Sequence, residues 1–169
     1  MDESYTESLL KSLPERAQRL SKEHKKYLTR LRDRNPKRLD ELFARIHGEV
    51  FEHVDCLECG NCCKTISPRW MDRDIDTTAK FLNMHPKTFK LTYLELDEDE
   101  DYVCKKTPCP FLEQDNRCFI YEARPKACRE YPHTDSKNMR GLLVIARKNI
   151  PVCPAVFEIV ERVRKEIPL

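Results

Sequence analysis

The chain has 169 residues, of which 36% are charged, with a formal net charge of +2 and only three glycines. That length is about one domain and can bury a core of its own. The near balance of charge gives no strong signal of a polyanion-binding surface, and so few glycines leave no phosphate loop or dinucleotide fingerprint. No stretch approaches the roughly 18 apolar residues of a membrane span, so a soluble protein without a membrane segment is expected.

The first 53 residues contain no cysteine and read as a helical hairpin. Pro14 and Glu15 suit a first helical turn, and Ala17, Leu20, Tyr27, Leu28 and Leu31 recur at three- and four-residue steps. This predicts a long amphipathic helix ending near Asn35 and Pro36. Pro36 can open a second helix with Leu39, Leu42, Phe43, Ile46 and Val50 on one face. Beyond the first cysteines, Asp72 can cap a helix bearing Ile75, Ala79 and Leu82, which His85-Pro86 interrupts, and a short helical piece through Phe89 and Tyr93 follows. Six acids then fall in the seven residues 95–101. They lack the glycine and terminal glutamate of a calcium loop and read as a solvated loop. Residues 102–121 read as short extended pieces around cysteines. Leu142–Ala146 is an apolar run suited to a buried strand, and Pro154 begins a last helix carrying Val156, Val160, Val163 and Ile167.

Nine cysteines are the chemical signature of the chain, and four lie in the eight-residue run Cys56-Leu57-Glu58-Cys59-Gly60-Asn61-Cys62-Cys63. Two-residue gaps let successive thiolates turn back on one ion, and Gly60 supplies a left-handed turn that exposes backbone N–H groups to sulfur. Cys104, Cys109, Cys118, Cys128 and Cys153 follow. Nine thiolates suffice for two four-thiolate centres with one left over. Adjacent side chains diverge, so Cys62 and Cys63 are expected to serve different centres, or one of the two to be a spare. Disulfides are disfavoured by the odd count, by cysteine at about 5% against the roughly 8–10% of a disulfide scaffold, and by an opening without an apolar signal segment. A reducing cytoplasm is the expected setting.

Three further motifs follow the run in order: Cys109-Pro110-Phe111-Leu112, Cys118-Phe119-Ile120-Tyr121, and Arg124-Pro125-Lys126-Ala127-Cys128-Arg129-Glu130-Tyr131-Pro132. Together they resemble the YkgJ-type, or CxxCxxCC, cysteine-cluster family, described as a zinc- or iron-chelating domain with eight characteristic cysteines. The resemblance covers roughly residues 52–157. It implies Cys56, Cys59, Cys62, Cys63, Cys109, Cys118, Cys128 and Cys153 as metal ligands and leaves Cys104 outside the pattern, dispensable. By family analogy alone it also implies an oxidoreductase label.

The metal can be an iron–sulfur cluster or zinc, in one or two centres. Cys56, Cys59 and Cys62 repeat the C-x2-C-x2-C spacing of bacterial ferredoxins, whose further ligand is a distant Cys-Pro, and Cys109-Pro110 and Cys153-Pro154 offer that. The spacing favours an iron–sulfur cluster with a redox or electron-transfer role. CxxCG also builds zinc knuckles, so a structural zinc module for protein or nucleic-acid interaction, or metal delivery, is the alternative. Four thiolates on a divalent ion leave about −2, which burial makes costly without donors and cations. Arg124 and Arg129 are the expected donors around the cofactor.

Other constellations are weak. The five histidines form no HExxH pair, His53 reads as solvent-facing and His133 as structural, and no nucleophile with its base can be nominated. Ten Lys or Arg against two acids fall in residues 16–38. Such a stretch suits nucleic acid or an acidic protein partner, but a solvated helix face is the simpler account. The sequence thus predicts a mainly α fold with short strands and irregular loops, a small single domain organised around a cysteine-rich metal site. Its expected parts are a helical hairpin over 1–53, a metal-binding region over 54–157, and a C-terminal helix over 154–169 packed on it. The expected partners are a metal ion or cluster and an unidentified protein.

Overall fold

The computed structural model describes residues 4–169. Among them the chain forms nine α-helices, one two-stranded antiparallel sheet and a 3₁₀ turn, a mainly α fold as the sequence predicts. The helices and strands gather into two compact units. The first joins residues up to Cys59 to Pro132–Leu169, and the second is Gly60–Tyr131, so the chain leaves one unit for the other inside the cysteine run.

The first unit is helical. Helix α1 spans Tyr5–Arg34 and starts earlier than Pro14 suggests, because Ser4 and Glu7 form a reciprocal capping box that satisfies the free N–H groups of its first turn. Pro14 therefore lies in the helix interior. It has no N–H to donate to the Leu10 carbonyl, and a helix of this length tolerates the loss because packing holds it on both sides. Asn35 ends α1 in a left-handed conformation at φ 43°. Helix α2 (Leu39–Phe51) follows a turn, with Leu39, Phe43, Ile46 and Val50 buried on the face that the sequence assigns to it.

Leu142–Ala146 is not a strand. It lies within helix α8 (Met139–Asn149), where Met139, Leu143 and Ala146 are buried while Val144 and Ile145 are exposed. The burial period is that of a helix, and a five-residue apolar run by itself does not distinguish the two. The Asn138 carboxamide oxygen accepts from Gly141 N–H to start the helix, and Asp40 accepts from Met139 N–H at 2.9 Å. Helix α9 (Pro154–Glu166) opens on Pro154 as expected and buries Val156, Phe157, Val160 and Val163 against α1 and α2. Phe157 meets the His24 ring edge-on at 5.4 Å and the Arg16 guanidinium at 4.4 Å. The basic residues Arg19, Lys22, Lys25, Lys26 and Arg30 are exposed along α1, a solvated face.

The second unit has its own aromatic core. Helix α5 (Asp72–Phe81) begins at Met71, whose N–H is taken by the Asp74 carboxylate at 3.1 Å, so Asp74 does the capping and Asp72 sits in the first turn. Helix α6 (Pro86–Tyr93) starts on Pro86, with the His85 ring accepting from Lys87 N–H. Strands β1 (Leu94–Leu96) and β2 (Tyr102–Cys104) pair antiparallel, and the acidic stretch is the turn between them, where Asp97 Oδ1 accepts from the N–H groups of Asp99 and Asp101. Trp70, Phe89, Tyr93 and Phe111 pack at ring separations of 4.9–6.1 Å. Cys104 is buried in this cluster, and Cys109 and Cys118 pack on it.

Candidate metal centre

The nine cysteines divide between the two units. In the first, Cys56 and Cys59 bound a short helix, α3 (Cys56–Cys59), while Cys153 precedes α9 as its N-cap. Helix α3 is anchored at its start, where Asp55 N–H donates to Thr6 Oγ1 at 3.0 Å and Asp55 Oδ1 accepts from Leu57 N–H at 2.8 Å. Burial pushes the Cys153 thiol up to about 11; the N–H groups of Val156 and Ala155 oppose that, and the charges of Cys56 and Cys59 add to it. Cys153 is therefore within electrostatic reach of Cys56 and Cys59 and sits at a helix N-terminus, which favours a thiolate once a cation is present.

The second unit holds the other six. Gly60 turns the chain at φ 57° into helix α4 (Asn61–Thr65), and a Cβ there would meet Asn116 Oδ1 at 2.7 Å, so glycine is required for shape as well as dihedral. Cys62 and Cys63 lie on α4 with their sulfurs 4.0 Å apart. The Cys63 carbonyl accepts from Cys109 N–H at 2.8 Å, which ties the cysteine run directly to the Cys-Pro-Phe-Leu segment. Cys109–Cys118 is a tight hairpin, with Leu112 bridged to Cys118 and Glu113 N–H donating to Arg117 O. Cys128 lies on helix α7 (Lys126–Glu130), held by Cys128 N–H to Pro125 O at 2.9 Å. Preceding it, the 3₁₀ turn Tyr121–Ala123 is pinned to α5 by the Thr78 hydroxyl, which donates to Ala123 O at 2.6 Å.

Cys63 is the electrostatic centre of this group. A hydrogen bond from Cys62 brings its thiol down to about 7 against the opposing effect of burial, helped by Lys64 and Arg124. Its charge in turn raises Cys109, Cys118 and Cys128, though for Cys109 the hydrogen bond with Cys104 is the larger cause and for the other two it is burial. Cys128 reaches about 12. Cys104 and Cys109 share a hydrogen bond that lowers Cys104 to about 7 and raises Cys109. The thiols are mutually repelling once ionised, the condition that a bound cation relieves. As they stand they are not a closed cage: among the described residues no group of three or more His, Cys, Asp or Glu side chains is positioned to hold a metal ion.

The donors around the thiols fit a thiolate-bound metal. Arg124 lies close enough to favour the ionised form of Cys63, Cys118 and Cys128, and its guanidinium covers the Tyr121 ring at 3.8 Å. Its Nε–H is buried without a hydrogen-bond partner, a donor that a thiolate would satisfy. Arg129 is turned elsewhere. It donates to the Arg124 carbonyl and stands 3.8 Å from buried Asp74, which also accepts from Lys126 N–H at 3.0 Å. The histidines have other work: His24 bonds Glu161 at 2.9 Å, His47 bonds Thr134 at 2.8 Å, and His53 is exposed beside Tyr5. Sequence reasoning did not single out Ser67 and Trp70, which pack against Cys104; neither has a spacing signal relative to the cysteines.

Fold and site together define a mainly helical, cysteine-rich domain. The family model CxxCxxCC, described as "Putative zinc- or iron-chelating domain", matches residues 55–149, more than half of the chain, and the chain belongs to this family. Seven of the eight cysteines expected as ligands fall within the match, and Cys153 lies just beyond it. Comparison with curated proteins and with solved structures returned no match. Among the described residues no helix is long and apolar enough to cross a membrane.

Proposed function

We propose that the chain binds metal in thiolate centres, one of them held by Cys63, Cys109, Cys118 and Cys128 in the second unit, and that it serves in redox or electron transfer through an iron–sulfur cluster. The observation that carries this is the mutual electrostatic reach of those sulfurs around Cys63, with the unpartnered Nε–H of Arg124 beside them. Cys56, Cys59 and Cys153 are the donors for a second centre, with Cys153 within electrostatic reach of the other two in the first unit. A bound cluster would supply one-electron transfer. The chain's own residues supply the rest. On metal binding Arg124 would balance thiolate charge and donate to sulfur, and Arg129 steadies Arg124 through its carbonyl. The odd number of cysteines, nine, and their modest share of the chain support a reducing, cytoplasmic setting.

The ferredoxin-like spacing and the two Cys-Pro dipeptides support iron–sulfur. A structural zinc module is the second reading, favoured by the left-handed turn at Gly60 that directly follows Cys59, as in zinc knuckles. Protein purified without oxygen decides between them. Brown colour with sulfide-to-iron absorption and iron in the elemental analysis is the expected result; a colourless protein with stoichiometric zinc selects the second reading, and a preparation free of both metals refutes the two together.

A further inference from the structure

The second unit holds a cavity of about 410 Å³ lined by Met71, Arg73, Asp74, Thr77, Lys126 and Arg129. That volume lies within the roughly 300–1,000 Å³ of small-molecule sites. Asp74 builds it by joining the starts of α5 and α7: one carboxylate oxygen accepts from Met71 N–H at 3.1 Å and the other from Lys126 N–H at 3.0 Å. With both oxygens engaged and only 6% of the residue exposed, Asp74 is a brace. Arg129 is braced as well, Nη1 donating to the Arg124 carbonyl and Nη2 standing 3.8 Å from Asp74. A guanidinium carries five N–H donors in a fixed fork, so this anchoring leaves donors over. Lys126 has only a loose pairing with Glu130 at 3.6 Å, both side chains more than half exposed, which is worth little. Among the described residues the exposed Arg73 side chain has no ion-pair or hydrogen-bond partner.

Three cations against one carboxylate that is already satisfied leave the cavity positive, which disfavours a metal cation and favours an anion. Two guanidinium forks and an ammonium match the several oxygens of a doubly charged head better than a single carboxylate. Met71 adds an apolar wall, which suits a ligand that carries carbon as well as charge. We propose that this cavity binds the dianionic head, phosphoryl or paired carboxylates, of a small organic molecule, held by Arg73, Lys126 and Arg129. The site does not depend on which metal the chain holds. Cys128 lies between Lys126 and Arg129 on α7, which puts the cavity on the same helix as a proposed metal ligand.

Calorimetric titration of the full chain as purified tests it, with glycerol 3-phosphate and succinate as probes and acetate as a monoanionic control, all at one ionic strength. At least one dianion should bind at one site per chain, and acetate at least about tenfold more weakly. The dianion that binds identifies the head group. Arg73→Ala changes an exposed side chain without a partner, so it should fold as wild type by circular dichroism and weaken binding by about 10–100-fold. Arg73→Lys keeps the charge, loses the fork and should fall between the two. Arg19→Ala, at an exposed cation of α1 in the first unit, should change nothing. Absence of saturable binding for both dianions up to about 10 mM would overturn the inference. So would equal weakening by Arg73→Ala and Arg19→Ala, which marks a general charge effect, or undiminished binding in both Arg73→Ala and Arg129→Gln.

Discussion

Replacing Arg124 by methionine separates a residue that serves the metal from one that serves the fold. The change keeps a long, unbranched side chain but removes the charge and the buried, unpartnered Nε–H. In metal-free protein, relief of such a donor is worth about 1–3 kcal/mol. Against it stands the loss of the contact with the Tyr121 ring at 3.8 Å. Tyr121 is 55% exposed, so that contact is worth about 0.5–1 kcal/mol. Metal-free Arg124→Met should therefore be between neutral and about 2 kcal/mol more stable than wild type. Metal-loaded protein should respond in the opposite direction. Losing a donor and cation that favour the thiolates of Cys63, Cys118 and Cys128 should weaken metal binding by about 10–100-fold, or about 1.4–2.8 kcal/mol. Urea unfolding of the chelated protein and zinc titration against a competing chelator read the two effects independently. A variant that loses stability without metal and binds zinc as tightly as wild type would show that Arg124 is a packing residue, and would refute the reasoning.

Chelation itself should lower the melting temperature of metal-loaded protein, since a ligand at a hundredfold its Kd contributes about 2.7 kcal/mol. Cys63→Ser should remove up to one centre's metal and most of that chelator response, as elemental analysis and thermal scans with and without chelator will show. Leu143→Ala, a buried truncation in α8, should cost about 2–5 kcal/mol. Val144→Ala on its exposed face should stay within about 0.5 kcal/mol in the same urea assay, and equal losses would contradict the helix. Burial holds His47 below its ordinary 6.5, with Asp135 opposing. The unfolded chain then takes up that proton first, so its contribution to stability is present above 6.5 and is lost as pH falls through the lower folded value. Urea midpoints from about pH 7.5 to about pH 5 should fall, and His47→Gln should flatten that decline; identical slopes would exclude His47 as its source.

Much of the fold was legible because it is written in local periodicity and in residues with one conformational use. Leu39, Phe43, Ile46 and Val50 share one helical face whatever they pack on, Pro86 and Pro154 start helices because their missing N–H costs nothing there, and Gly60 marks a left-handed turn. The motifs from Cys56 to Cys128 likewise identified a thiol site. Leu142–Ala146 was not legible, since the choice between helix and strand fell to what Leu143 and Ala146 pack against. Nor was Pro14, whose place inside α1 follows from the capping box at Ser4 and Glu7. Which sulfurs meet is also a tertiary property. Side-chain charge acts through space, and only the hydrogen bond from Cys109 N–H to Cys63 O, the hairpin ending at Cys118 and the pinning of the 3₁₀ turn to α5 bring those thiols within reach of one another. Cys104 shows the difference most plainly: the sequence sets it aside by spacing, while the structure buries it in the cluster of Trp70 and ties its N–H to Ser67, residues whose approach no local pattern encodes.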